Sequence, residues 1–262
     1  MHAPSVSLPL AGRVGEGVFR NINLLIEYDG REFSGWQQQR GLRTVEAELK
    51  KAVGDLVRHD VTLYAAGRTD AGAHAEGQVA NFHYAGPLAP DRLASALNVR
   101  LPSDVAILEA REVSPEFHAR YSARWRRYRY RYLDRQVRPV LALGRCWHIR
   151  NPLDVTAMAE AAAVLVGRHD WSTFCAASEP AEGRVRTMQS AQVRRSREFV
   201  ELELVGEGFL RGLVRGIAGG LAEVGLGRQA AGWVGGLLEA RDRRLAPRSA
   251  PAAGLTLVEV IY

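Results

Sequence analysis

The pattern of apolar and polar positions divides the first half of the chain into strands and helices in the order β-α-β-β-α-β. Short runs of β-branched and aromatic residues, bounded by glycine or another turn signal, indicate strands. Apolar residues spaced three and four positions apart indicate helices. On these signals we predict strands at residues 21–28, 61–66, 77–84 and 104–113, and helices at residues 44–59 and 90–100.

The second half begins near residue 115 and repeats this order with additional helices. It contains predicted strands at 125–133, 185–194, 199–205 and 255–262, and predicted helices at 153–166, 210–224 and 229–239. No direct sequence repeat relates the halves, so their similarity is inferred from architecture alone. We therefore predict an α+β protein of two ferredoxin-like, or RRM-like, β-α-β-β-α-β units. The expected domains are residues 20–114 and 115–262, after a flexible extension over residues 1–19.

Composition describes an ordinary globular chain. It has 262 residues, of which 47% are hydrophobic and 24% are charged. No apolar run approaches the ~20 residues that a membrane-spanning helix needs. Only Cys146 and Cys175 are present, far apart and without a Cys-x-x-Cys pair. This usage argues against a disulfide framework or a zinc site and suits a reducing compartment, so we expect a cytoplasmic protein without membrane contact.

The charge balance favours an anionic partner. The formal net charge is +6, and only Lys50 and Lys51 among the 35 basic residues are lysines. Arginine suits phosphate binding and stacking on bases, although a GC-rich genome produces the same bias. Eight arginines and five aromatic residues fall within residues 120–138. We expect this group to form a nucleic-acid surface.

The strand at 125–133 alternates in character. Its two-residue period puts Arg127, Arg129 and Arg131 on one face and Arg126, Tyr128, Tyr130 and Tyr132 on the other. Arginines on a sheet face can follow phosphates, and tyrosines can stack on an unpaired base. The alternative is a solvated basic face above a tyrosine-lined core, which we prefer for Tyr130 and Tyr132.

The loop at residues 67–75 offers the clearest candidate chemistry. Its sequence Gly-Arg-Thr-Asp-Ala-Gly-Ala-His-Ala lies between two predicted strands. Glycine permits close backbone approach, so the loop can press Asp70 against a ligand. Arg68 lies two residues earlier, and a nearby guanidinium keeps a carboxylate ionised, which suits a nucleophile. A tight turn with a solvated ion pair is the alternative.

The glycine-rich helix at 210–224 places Arg215 near an apolar face. Its glycine spacing fits neither a dinucleotide fingerprint nor a phosphate loop. The small residues favour close packing instead. An arginine at such a position usually extends its head group to solvent.

The loop at 67–75 resembles the catalytic loop of the TruA family of tRNA pseudouridine synthases. Residues 117–123 with Arg-Tyr-Arg-Tyr at 127–130, and the Val-Arg-x-Ile segment around Arg215, match further family motifs in the same order. The resemblance covers residues 21–262. It implies isomerisation of uridine to pseudouridine in the tRNA anticodon stem-loop, without cofactor or metal. It also implies a homodimer. Within each protomer, the sheets of the two units are expected to lie side by side, with a catalytic cleft between the units.

The resemblance also implies roles for individual residues. Asp70 is the expected nucleophile. Tyr128 stacks on the target uracil and helps in the later removal of the C5 proton, and Arg215 reaches the pocket and pairs with Asp70. Arg68 either keeps Asp70 ionised or holds the flipped-out nucleotide. The residues that we expect to contact RNA are Tyr128, Arg126, Arg127, Arg129, Trp36, His74, Arg120 and Arg211; for Trp36, a core position is the alternative. The sequence departs from the family pattern at Ala73, Arg211, Gly212, Leu213 and Gly216.

Two other functions remain open on the sequence. A non-catalytic RNA-binding protein of RRM-like units predicts bound but unchanged RNA, although the usual RNP aromatic motif is not evident. A carboxylate-dependent glycosidase normally needs two carboxylates across one bond. Near the loop only Asp70 and Glu76 are present, and nothing marks Glu76 as an acid.

Overall fold

The computed structural model describes residues 19–58 and 60–262. Within these residues, ten strands form one mostly antiparallel sheet that is accompanied by five α-helices. The predicted combination of helices with a large sheet is thus confirmed. The predicted extension lies outside the described residues except for Phe19, and so does His59, the last residue of the first predicted helix.

The strands are β1 (Arg20–Tyr28), β2 (Tyr64–Ala65), β3 (His74–Tyr84), β4 (Val105–Val113), β5 (Trp125–Asp134), β6 (Trp147–Ile149), β7 (Gly167–Asp170), β8 (Val185–Ser196), β9 (Phe199–Gly206) and β10 (Leu255–Ile261). The helices are α1 (Val45–Val57), α2 (Pro90–Asn98), α3 (Val155–Ala163), α4 (Leu213–Gly225) and α5 (Trp233–Ala240). The main path through the sheet is β4-β1-β3-β10-β5-β9-β8-β7.

In the first half, β1 lies between β3 and β4 and runs antiparallel to both. The other edge of β3 is shared by two partners. Near one end it pairs with β2 through only Tyr64 and Ala65, so the strand predicted at 61–66 is shorter than expected. Near the other end it pairs with β10. The loop at 67–73 occupies the stretch between these pairings, and β2 begins three residues later and ends one residue earlier than predicted.

The second half is built around β5, which lies between β10 and β9. The predicted hairpin is confirmed as β8 and β9. The short strands β6 and β7 were not predicted, because three or four residues carry too little periodicity to stand out.

Helix α4 begins three residues later than predicted, because Gly212 adopts a left-handed conformation with φ of 75°. Its glycines allow close packing, as predicted. A Cβ on Gly219 would lie 1.9 Å from the carbonyl oxygen of Arg248, so only glycine fits there. Helix α5 also begins later than predicted, at Trp233. Helix α3 ends at Ala163, earlier than predicted.

The alternation predicted for β5 is present. Tyr128, Tyr130 and Tyr132 are buried, whereas Arg127, Arg129 and Arg131 are only partly buried. The hydroxyl of Tyr132 donates to the carbonyl oxygen of Ala218 in α4 (2.8 Å), which ties this helix to the sheet. Tyr130 and Tyr132 are therefore packing residues, as the sequence indicated.

The two halves meet where β10 runs parallel to β3. Thr256 lies opposite His74, and Leu257 lies opposite Ala75. This seam, defined by the two residue pairs, sets the loop at 67–73 against the second half of the protein. Across residues 19–58 and 60–262, no helix has the length and apolar character required to span a bilayer.

Candidate active site

The loop between β2 and β3 is held by side chains of the first half of the protein. The Gln78 amide nitrogen, on β3, donates to the carbonyl oxygen of Gly67 (2.8 Å). The hydroxyls of Tyr28 and Thr69 are hydrogen-bonded at 2.7 Å, within the buried interior. The backbone on either side of Arg68 is thereby fixed without any ligand.

The segment after β1 packs on the same loop. A Cβ on Gly30 would lie 1.9 Å from the carbonyl oxygen of Ala73, so glycine is required for this approach. The backbone N–H of Trp36 donates to the carbonyl oxygen of Thr69 (3.2 Å). Trp36 itself is only 2% exposed, and its ring packs against Tyr28. The ring of Trp36 is therefore part of the core, which is the alternative that the sequence left open, and RNA contact by Trp36 stays a prediction.

Asp70 faces the second half of the protein. A guanidinium nitrogen of Arg215 (Nη1) donates to Oδ2 of Asp70 at 3.0 Å, and Nε of Arg215 donates to the carbonyl oxygen of Ala250 at 2.7 Å. Oδ1 of Asp70 accepts no hydrogen bond from the described residues. The side chains of Asp70 and Arg215 are 21% and 27% exposed. Arg215 thus orients the carboxylate of Asp70 through Oδ2, and Oδ1 is left near solvent without a hydrogen-bond donor from the described residues.

Tyr128 forms the wall beside this pair. Its ring meets the edge of Phe209 at a centroid distance of 4.7 Å. Its hydroxyl lies against Gly67, where an added Cβ would come within 3.7 Å. Burial raises the pKa of Tyr128 to about 12, an effect that nearby Arg126 opposes and Asp70 reinforces. The phenol is therefore protonated at neutral pH.

Arg126 holds the walls of the site together. Its guanidinium donates to four backbone carbonyl oxygens, those of Ala66 (3.1 Å), Arg120 (2.7 Å), Ala123 (3.4 Å) and Glu207 (2.6 Å). These carbonyls belong to three separate segments. Ala66 directly follows β2, Arg120 and Ala123 lie between β4 and β5, and Glu207 directly follows β9. The guanidinium of Arg126 is buried and donates to backbone acceptors, and RNA contact by Arg126 stays a prediction.

A family model described as tRNA pseudouridine synthase matches residues 24–122 and 161–262. The chain belongs to this family. The matched residues include Asp70 and Arg215, so family membership and the geometry of the ion pair concern the same parts of the chain.

Relatives that are named tRNA pseudouridine synthase A match nearly the whole chain. The protein from Acetivibrio thermocellus is 42% identical over 243 residues, which are 93% of this chain and 100% of the relative. The protein from Methylocella silvestris is 42% identical over 242 residues, covering 92% of this chain and 98% of the relative. The protein from Thermoanaerobacter pseudethanolicus is 39% identical over 243 residues, covering 93% and 100%.

In this family member, His74 is a structural residue. Its Nδ1 accepts from the backbone N–H of Gly30 (3.2 Å), and its Nε2 lies 2.9 Å from the carbonyl oxygen of Gly144, to which it donates. Burial lowers the pKa of His74, which fits this neutral form. Both ring nitrogens are thus occupied by backbone groups, and RNA contact by His74 stays a prediction.

Arg127 and Arg129 lie on the opposite face of β5 from Tyr128, in a ladder of ion pairs. Arg127 pairs with Glu203 (3.7 Å) and Glu259 (3.5 Å), while Arg129 contacts Glu76. Glutamates on β3, β9 and β10 thus balance these arginines. This differs from the predicted phosphate-binding face, because the arginines are paired within the protein and face away from Asp70.

Three other predicted arginines remain exposed. The side chains of Arg68, Arg120 and Arg211 form no ion pair with the described residues. Asp70 therefore pairs with Arg215 rather than with Arg68, which leaves Arg68 available to a ligand. RNA contact by these arginines stays a prediction.

Sequence reasoning missed the residues that support the loop. Tyr28 and Gln78 do not stand out for this role in the sequence, because their partners Thr69 and Gly67 are distant along the chain. The described residues contain no group of three or more His, Cys, Asp and Glu side chains placed to hold a metal ion. Chemically, the site offers an ionised carboxylate with one free oxygen, beside an aromatic ring and a guanidinium.

Proposed function

We propose that the protein isomerises uridine to pseudouridine in the anticodon stem-loop of tRNA, with Asp70 as nucleophile. Family membership supports the reaction and the substrate. The observation that carries the assignment to Asp70 is its free Oδ1, held in place through the contact of Oδ2 with Arg215 at 3.0 Å. A carboxylate whose lone pairs were all engaged would be a poor nucleophile.

The reaction rearranges one nucleotide without changing its composition. The bond between N1 of uracil and C1′ of ribose breaks, the uracil rotates, and a bond forms between C5 and C1′. C5 loses its proton and N1 gains one, so no group or electron is supplied from outside. Asp70 attacks either C1′ of ribose or C6 of uracil.

The neighbouring residues prepare this step. Arg215 orients Asp70 and balances its charge in the partly buried cleft. Tyr128 stacks on the uracil after the base leaves its helix, a displacement that costs a few kcal/mol. If Asp70 attacks C1′, the carboxylate is released when C5 bonds to C1′ and then takes the C5 proton, because the protonated phenol of Tyr128 is a poor base. If Asp70 attacks C6, loss of the C5 proton to solvent expels the carboxylate from C6. Arg68 holds the phosphate of the flipped-out nucleotide.

Tritium release from tRNA that carries C5-labelled uridine tests the proposal. We expect release by the wild-type protein and none above background by Asp70→Asn, with tRNA affinity retained. Binding without release by the wild-type protein would instead support the RNA-binding alternative. Free uracil among the products would support a hydrolase. Equal release by both proteins would place the nucleophile elsewhere.

We infer that the protein is a homodimer, as the family resemblance implies. Support comes from the connection between β5 and β6, which exposes Val137, Val140, Leu141 and Leu143 within seven residues. Monomeric proteins rarely leave such apolar clusters uncovered, so a second copy is the expected partner. Sedimentation at micromolar concentration should show twice the protomer mass, and Leu141→Asp should shift the protein towards the monomer. A monomeric wild-type protein would contradict this inference.

We also retain the predicted cytoplasmic location.

We further infer that the sheet consists of two ferredoxin-like units, residues 20–114 and 115–262. Support comes from corresponding strand orders, β4-β1-β3-β2 and β10-β5-β9-β8. Hydrogen exchange in mild denaturant should then reveal two cooperative units with a boundary near Ser114. A single unit spanning both halves would contradict the division.

A further inference from the structure

Three aromatic rings form a tilted cluster near the active site. The ring of Tyr64 lies 4.8 Å from that of His118, and His118 lies 4.4 Å from Tyr121, measured between centroids. The guanidinium carbon of Arg120 lies 5.7 Å from the centroid of Tyr121. We call Tyr64, His118, Tyr121 and Arg120 the aromatic platform.

The platform combines two exposed side chains, Tyr121 and Arg120, with two half-buried rings, Tyr64 and His118. Tyr121 is 77% exposed, so packing within the chain does not account for this large ring. The turn below it is closed by two hydrogen bonds between His118 and Ser122, at 3.0 and 2.9 Å. Nδ1 of His118 accepts from the backbone N–H of Arg120 (3.1 Å). Tyr121 therefore presents its ring to solvent from a turn that is held by hydrogen bonds and packed against His118.

The platform lies next to the active site along the same face of β5. One guanidinium nitrogen of Arg126, Nη2, donates both to the carbonyl oxygen of Arg120, in the platform, and to that of Ala66, just before the Asp70 loop. Arg126 and Tyr128 are two residues apart on one strand face, about 6.6 Å. A nucleotide chain whose target base lies on Tyr128 therefore has its neighbouring nucleotides within reach of the platform.

The charges near the platform suit a polynucleotide. Arg68 follows Ala66 by two residues, and the side chains of both Arg68 and Arg120 are exposed and free of ion pairs with the described residues. By contrast, Arg127 on the opposite face is matched by glutamates. Exposed aromatic rings beside unpaired guanidinium groups are the combination that binds single-stranded nucleic acid through base faces and phosphates.

We propose that the aromatic platform stacks an unpaired base adjacent to the target uridine in the substrate tRNA. This inference rests on the proposed function and adds a second base site, separate from Tyr128 and Asp70. The platform positions the substrate strand, and its residues take no part in bond making or breaking.

The first test compares Tyr121→Ala with Tyr121→Phe. Truncating the ring should weaken binding of an unmodified tRNA transcript by about 10-fold, since stacking on one aromatic side chain commonly contributes that much. The rate of a single turnover at saturating tRNA should stay close to that of the wild type. Tyr121→Phe should bind like the wild type. Phe19→Ala, which truncates another exposed ring (67% exposed), is the matched control and should also bind normally.

The second test identifies the base. The modified uridine is first located with the wild-type protein, and transcripts are then made abasic at the nucleotide on its 5′ or 3′ side. One of these transcripts should bind the wild-type protein about 10-fold more weakly. Against Tyr121→Ala the same abasic position should cause little further loss, because the ring and the base act as one pair.

Several results would overturn the proposal. Normal tRNA binding by Tyr121→Ala would be one such result, and an equal loss of tRNA affinity in Tyr121→Phe would be another. A third would be an abasic transcript that weakens binding by the same factor in Tyr121→Ala as in the wild type. A lower rate at saturating tRNA with unchanged affinity would also overturn it, because the platform would then act on the chemistry. Activity of the wild-type protein in the same assay separates failure of this proposal from failure of the proposed function.

Discussion

Asp29 and Asp70 lie in loops that touch each other, yet their surroundings differ sharply. Asp29 accepts hydrogen bonds from the backbone and guanidinium of Arg31 and from Arg145 (2.9 Å), and Nδ1 of His74 lies 3.3 Å away. Burial alone would raise the pKa of Asp29, but the donors of Arg31 and Arg145 hold it well below its usual range. Asp29 is saturated.

By comparison, the carboxylate of Asp70 has a single partner among the residues that the structure describes. Arg215 engages one of its oxygens and leaves the other free, at a site with more solvent contact than that of Asp29. The difference distinguishes a carboxylate that stabilises the fold from one that performs chemistry. Saturated lone pairs give structural stability, whereas an unused lone pair beside a fixed charge is available to a substrate.

The largest effect should come from Arg215→Gln, which removes the charge that orients Asp70. We expect the single-turnover rate at saturating tRNA to fall by about 10²–10³-fold, as for the loss of other preorganised electrostatic partners. Arg228→Gln, at the end of α4 and paired with Glu223, is the control and should leave the rate unchanged. A near-normal rate for Arg215→Gln would show that Asp70 needs no fixed partner.

An intermediate effect, on stability rather than chemistry, should follow from Asp29→Asn. The change removes charge-assisted hydrogen bonds and leaves Arg31 and Arg145 without their shared anion. We expect the free energy of unfolding to fall by about 1–3 kcal/mol in chemical denaturation. The turnover rate of the folded protein should fall far less than in Arg215→Gln. Equal rate losses in the two variants would remove the distinction between the two aspartates.

The smallest effect should be a pH dependence of stability that arises from His74. Burial lowers its pKa in the folded protein, so below about 6.5 the unfolded chain binds the proton more readily. The free energy of unfolding should therefore decrease as pH falls through that value. His74→Gln should flatten this decrease in denaturation curves recorded between pH 8 and 5.

His118 also has a lowered pKa, mainly through burial, so it contributes with the same sign. His118→Gln measured alongside separates the two contributions. If His74→Gln left the pH dependence of the free energy of unfolding unchanged, that dependence would not arise from the neutral form of His74 with its two backbone hydrogen bonds.

Local patterns in the sequence predicted the elements that carry the site. The two-residue period of β5 assigned Tyr128 and the arginines at 127, 129 and 131 to opposite faces, and both assignments are confirmed. The period could not show that Glu203 and Glu259 lie beside those arginines, because cross-strand register depends on tertiary packing. A basic face was therefore expected where an ion-pair ladder is found.

The surroundings of two other side chains also depend on tertiary packing and could not be predicted from local patterns. Arg126 was assigned to the face of Tyr128, but its four acceptors come from segments far apart in sequence, so no local pattern reveals them. His74 follows the Asp70 loop directly and was expected at the RNA, yet the start of β3 turns its ring towards Gly30 and Gly144. Position in sequence beside a reactive residue does not fix the direction of a side chain.

The seam between β3 and β10 has a consequence for folding. It joins Ala75 to Leu257, so it closes a very long loop of chain, and such long-range pairings form slowly. Asp70 belongs to one side of this seam and Arg215 to the other. The ion pair therefore forms only in a chain whose two sides are joined at this seam. We expect catalytic activity to appear no earlier than this long-range pairing during refolding.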